Sequence, residues 1–377
     1  MDPVIGVVLC ILIVVAVVFG LKALNAKNSK VPVFDGVAPG VIPANPDAHP
    51  TQFVSSKNLL PNPPPPRFEP PERILSWMTG ALGPKGVGGR DFGALVVDLA
   101  VAGYIRIDKD PNADQSRRRS NTDWNLTRTN KDASQLVGAP HELMLMAFPQ
   151  GNPGDATAMD ALSRRARAGV GQIVRDCMNK DADVAIGAGN RFERHPIRTA
   201  LQAQTDQFHQ YLKTAEADQI RVEQAASIFS RYLPWAIALG EAEHWAKVFK
   251  DVARNAGIGD GSVGATDAVI LSTWGTDLAW FGGVDFGGFG DGGFDGGFFD
   301  SGFDGFGDSI GGLTDGIGDF GSSMDSFGGD IGGGSGGSDG GSSGGGWSSC
   351  SSGASCGSSS SCSGSSCGGG GGCGGGS

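Results

Sequence analysis

Residues 4–21 (VIGVVLCILIVVAVVFGL) run for 18 positions without a charged side chain. As a helix such a run measures about 27 Å, just enough to cross the hydrocarbon core of a bilayer. Asp2 is the one charge ahead of it, and Lys22, Lys27 and Lys30 follow. A cleaved leader needs the reverse order, a basic segment first and a small-residue cleavage site after. The lysines instead place the N-terminus outside and the remaining chain in the cytoplasm. No second apolar stretch of membrane length occurs downstream. The expectation is a single-pass cell-membrane protein, anchored by residues 1–24, that meets the lipid bilayer through residues 4–21. Cys10, inside the span, reads as a small buried hydrophobe.

The other end of the chain is constrained by composition. Of 64 glycines in 377 residues, 40 lie after Phe281, in a stretch that has no Lys and no Arg. Residues 259–377 hold 14 Asp and no basic residue, so the net charge of −11 belongs to this part, and residues 1–258 are near neutral. Apolar residues too sparse for a core mark 259–377 as a disordered acidic tail. The glycines keep no three-residue period, which excludes collagen, and with Cys10 and Cys177 alone outside the last 28 residues a disulfide scaffold is excluded too. Phe-Gly and Asp-Gly units between residues 281 and 327 carry ten phenylalanines. Such a tail can self-associate or bind basic partners, or it can be an inert soluble extension; both readings stand. Cys350, Cys356, Cys362, Cys367 and Cys373 do not have zinc-site spacing and are expected to be free thiols in a reducing cytoplasm.

Between these ends the expected fold is mainly α with a small β-hairpin. Residues 25–71, dense in proline and ending in PNPPPPRFEPPER, read as a polyproline spacer, or a ligand for an aromatic groove. Residues 72–130 read as a winged-helix-like module. A short helix carries Ile74, Leu75, Trp77 and Met78; a second, with Asp91 as N-cap, repeats Phe92, Leu95, Val96 and Leu99 on one face and ends at Gly103. Alternation over 104–108 and again over 124–127 makes a hairpin whose tip carries Arg117, Arg118 and Arg119. The tip is a candidate phosphate contact, but GALVVDLAVA (93–102) offers one charged residue, so DNA is the less favoured partner. Residues 131–198 form a helical middle region, with one helix from Pro140 and another spanning about 157–180. Its arginine cluster is read as a solvated face before a lipid-headgroup contact.

Residues 199–258 form a helical block, broken at Pro234 and stopped at Gly240. Two stretches, GGRDFGALVVDLAVAGYIRI (88–107) and YLKTAEADQIRVEQAASIFSRYLPWAIALGEAEHWAKVF (211–249), carry a resemblance. Together with the Gly/Ser-rich tail they resemble the C-terminal cytoplasmic part of the predicted membrane proteins grouped as domain of unknown function 2207, the YciQ-like proteins. The resemblance implies no established activity. Larger members add an outer β-rich domain and a hydrophobic pair between the two motifs. Here the anchor begins at Val4 and the interval ADVAIGAGNRFERHP (182–196) is short and polar.

Tests for chemistry give little. Asp206-x-x-His209 with Glu241-x-x-His244 places two carboxylate–imidazole pairs at helical spacing, and Glu216 and Glu223 could complete a di-metal site, but ordinary amphipathic faces explain them. Cys177 has no recognisable base, and GPKGVGGR (83–90) lacks the ending of a phosphate loop. The expectation is a membrane-anchored interaction or scaffold protein, bound to an unidentified protein partner, with no catalytic residue, cofactor or metal. The competing reading is a membrane-tethered winged-helix DNA-binding regulator using Arg117, Arg118 and Arg119.

Overall fold

A computed structural model describes residues 30–109, 124–187, 195–255 and 277–281. They are mainly helical, with seven α-helices and two small antiparallel sheets. Residues 4–21, the arginines at 117–119 and the chain beyond Phe281 lie outside them. No helix among the described residues is long and apolar enough to cross a membrane.

Helix α1 (Gly89–Val101) is the centre of the structure and is buried almost all round: Phe92, Leu95, Val96 and Leu99 are covered, and so are Ala94, Val97 and Ala100. Its start differs from expectation, since Asp91 is the third helical residue. From there its carboxylate accepts from the amides of Gly88 (2.7 Å) and Gly80 (3.0 Å) and from the Thr79 hydroxyl (2.8 Å). This carboxylate gathers donors from the 3₁₀ helix Ser76–Leu82 and the glycine-rich turn, the work a phosphate does in a phosphate loop. Gly103, at φ 80, ends the helix as expected.

Strands β3 (Ile105–Lys109) and β4 (Trp124–Arg128) form the expected hairpin, with Ile107 opposite Leu126. Helix α2 (Gly138–Ala147) then returns the chain to β5 (Ala156–Ala158), which pairs with β4 through Leu126 and Thr157. Thr157 therefore belongs to a strand; the helix expected to begin there is divided into α3 (Met159–Arg165) and α4 (Gly171–Ile186) by a π-turn in which Gly169 has φ 100.

Helices α5 (Pro196–Thr214), α6 (Ala225–Leu239) and α7 (Ala242–Asn255) complete the fold. Pro234 does not break α6 but lies inside it, where it has no N–H to give to the Ser230 carbonyl. The stop at Gly240 is the expected one: with φ 83 it lets Glu241 N donate to Ala236 O (2.7 Å) and its own amide to Ile237 O (3.2 Å), closing the helix end. The most extensive helix contact joins α1 to α6, and one continuous hydrophobic core includes residues from all three regions that the sequence reading kept apart.

Residues 30–71 are not an extended spacer. β1 (Lys30–Phe34) pairs antiparallel with β2 (Thr51–Ser55), and Phe34 is buried where β1 packs on α5. Gln204 of α5 donates to Gly40 O (2.7 Å) and accepts from Glu72 N (2.9 Å); Arg67 N donates to Gln207 O (3.0 Å), and the Tyr232 hydroxyl to Phe68 O (2.9 Å). Proline-rich backbone has spare carbonyls, and polar side chains on α5 and α6 supply their donors.

Candidate functional site

The outer edge of β3 is where a segment distant in sequence is held by backbone, side-chain and ring contacts together. Ile107 sits opposite Leu126 on its β4 side, while its amide points the other way and donates to Trp280 O at 2.9 Å. Phe281 bridges Ile107 in parallel, and its ring stacks on Trp124 with centroids 5.5 Å apart. The Trp280 indole Nε1 donates to Ser230 Oγ at 3.1 Å, and Ser230 Oγ donates to the Asp277 carbonyl at 2.9 Å. Leu278, Trp280 and Phe281 are all buried. A short segment from within the expected disordered tail thus covers a strand edge that would otherwise present unpaired amides. The 259–377 reading must therefore be corrected at 277–281.

Sequence reasoning passed over Trp280, Phe281 and Ser230. The available signal was the cluster LAWF (278–281), an apolar group with an indole just ahead of the Gly/Asp repeats.

The two carboxylate–imidazole motifs are partly brought together. His209 Nε2 lies 2.8 Å from Glu241 Oε1, linking α5 to the start of α7. Asp206 accepts from Gln202 Nε2 at 2.9 Å, and burial raises its carboxyl above the usual range against the opposing pull of Gln202 and His209. His244 does not join them; its Nε2 is buried without a hydrogen-bond partner. Glu216 and Glu223 are exposed, the latter 3.8 Å from Arg221. Among the described residues no group of three or more His, Cys, Asp or Glu is placed to hold a metal ion. Cys177 is fully buried and disulfide-bonded in the structure.

A cleft of about 160 Å³ lies between β1–β2 and the start of α5, lined by Phe34, Val37, Val54, Leu59, Pro196 and Ala200 among others. It is smaller than the roughly 300 Å³ at which small-molecule pockets begin.

Comparison with protein-family models, with curated proteins and with solved structures gives no match. The functional reading therefore rests on the chain itself.

Proposed function

We propose that this chain is a membrane-anchored cytoplasmic interaction protein whose folded domain recognises short apolar peptide segments at the β3 edge. The observation that carries the reading is the capture of residues 277–281 there, by one backbone hydrogen bond, an indole–hydroxyl hydrogen bond and a stacked ring pair. This is strand-edge addition, in which main-chain bonds supply affinity and side-chain pockets supply selectivity. The segment leads directly into the Phe-Gly repeats, so the folded domain and its tail meet at the site.

The winged-helix-like description draws support from α1 leading into the β3–β4 hairpin, with β5 as third strand. The DNA-binding alternative gains nothing from α1, since a helix buried on nearly every side has no face to lay in a groove. The resemblance to the domain of unknown function 2207 belongs to the same proposal. Its two motifs fall on α1–β3 and on α5–α7, and the contact between α1 and α6 supports a shared folding unit more than a shared active site.

The test uses full-length protein in detergent, with both Trp280 and Phe281 changed to Ala, and a fluorescent peptide of residues 275–283. The variant is expected to bind the peptide saturably while wild type, whose site is filled, does not. A folded variant that fails to bind would reduce the segment to ordinary core packing and overturn the proposal.

A further inference from the structure

We infer that the β1–β2 hairpin docks on the anionic headgroup layer of the bilayer that holds residues 4–21. The inference rests on reading that run as membrane-embedded. An extended spacer over 25–71 would have allowed the domain to stand about 145 Å from the surface. Because β1 begins at Lys30, the connection from Leu21 is nine peptide steps, at most about 32 Å when fully extended. A domain of this size is about 40 Å across. The tether is shorter than the body it holds, so the hairpin is kept beside the headgroups at high local concentration.

The chemistry of the hairpin matches that position. Lys30 pairs with Ser55 at its open end, where the chain arrives from the apolar run, and exposed Lys57 follows in the 3₁₀ turn Ser56–Asn58. Asp35 and Asp47 lie toward the opposite, looped end. Phe53, opposite Pro32 in the register, is 60 % exposed, although Phe34 on the paired strand is buried at 3 %. An exposed aromatic followed by an exposed lysine suits an interfacial contact: the Phe53 ring enters the headgroup boundary and the Lys57 ammonium stays at the phosphates. Each lysine near an anionic surface strengthens association about fivefold.

The full chain is reconstituted in nanodiscs of phosphatidylcholine with or without phosphatidylglycerol, and hydrogen exchange is followed by mass spectrometry. With phosphatidylglycerol, amides of residues 51–58 are expected to exchange at least about fivefold more slowly than without it. Phe53→Ser and Lys57→Glu should each reduce that protection and leave the exchange of α7 unchanged. Equal exchange of residues 51–58 in both lipids would overturn the inference. So would protection that ignores phosphatidylglycerol and appears only in discs holding two chains, since the occupant would then be a second copy. Flotation with vesicles in high salt separates this failure from failure of the anchor: a chain that floats but shows no protection is anchored without docking, and one that does not float is not anchored.

Discussion

Trp280 and Ser230 are joined by an indole-to-hydroxyl hydrogen bond of 3.1 Å, across 50 residues of sequence. Ser230 is well placed for this, four residues before Pro234, where α6 lacks one backbone donor. The contact fixes the segment on α6 while Ile107 fixes it on β3, so one short peptide closes the gap between helix and sheet.

Trp280→Ala should cost about 3 kcal/mol of stability, the usual loss for deleting a buried indole. Ser230→Ala should cost less, about 1–2 kcal/mol, by leaving the indole N–H and the Asp277 carbonyl without that partner. Urea unfolding measures both. Hydrogen exchange at the Ile107 amide should rise sharply in Trp280→Ala and little in Ser230→Ala.

Asp98 should make the fold less stable as the pH rises. Burial pushes its carboxyl up to about 6, opposed by the Ser76 hydroxyl, which donates to Oδ2 at 2.7 Å. The folded chain holds this proton more tightly than the unfolded chain, where a carboxyl titrates near 3.9. The Asp98 contribution is therefore largest below about pH 4, falls through the interval from 4 to 6, and is flat above it, a total of about 3 kcal/mol. Asp98→Asn should erase that slope and raise the urea midpoint at neutral pH.

Gly80 has no room for a methyl group. A Cβ there would lie 2.2 Å from Asp91 Oδ2 and 2.9 Å from both Gly86 O and Val87 Cα, the last two being backbone. Gly80→Ala should lose about 3 kcal/mol, because the turn and the start of α1 must move together. Asp91→Ala should lose a similar amount by stranding the donors of Thr79, Gly80 and Gly88. Thermal melts that moved by less than a degree or two would refute this account of the α1 start.

The His209–Glu241 contact should matter little to stability. The side chains are 39 % and 21 % exposed, so solvent screens the pair and His209→Ala should cost no more than about 1 kcal/mol. Added zinc or iron should leave the melting midpoint where it was. A rise that vanished in both His209→Ala and Glu241→Gln would instead establish a metal site.

Cys177 reports the side of the membrane. The structure has it disulfide-bonded, whereas cytoplasmic thiols are held reduced. With the proposed topology, acid-quenched cells denatured in the presence of a maleimide should yield Cys177 alkylated. Recovery of an intact Cys177 disulfide would place the domain on the oxidising side and reverse the orientation read from Lys22, Lys27 and Lys30.

Local pattern carried the parts of the structure that local physics decides. The apolar period of α1, the alternation of β3 and β4 and the left-handed stop at Gly240 each depend on residues a few positions apart, so all were legible in sequence. Tertiary structure decided the rest. Proline density announced a spacer, but Gln204 and Tyr232, more than 130 residues away in sequence, hold those carbonyls against α5 and α6. Three apparent modules became one core because α1 had a second apolar side to bury and α6 supplied the surface. LAWF looked like the first letters of a repeat, and only the outer edge of β3 together with Ser230 made it part of the core. Each of these pairings depends on surfaces that exist only after the chain has closed on itself, and no short window of sequence contains both halves.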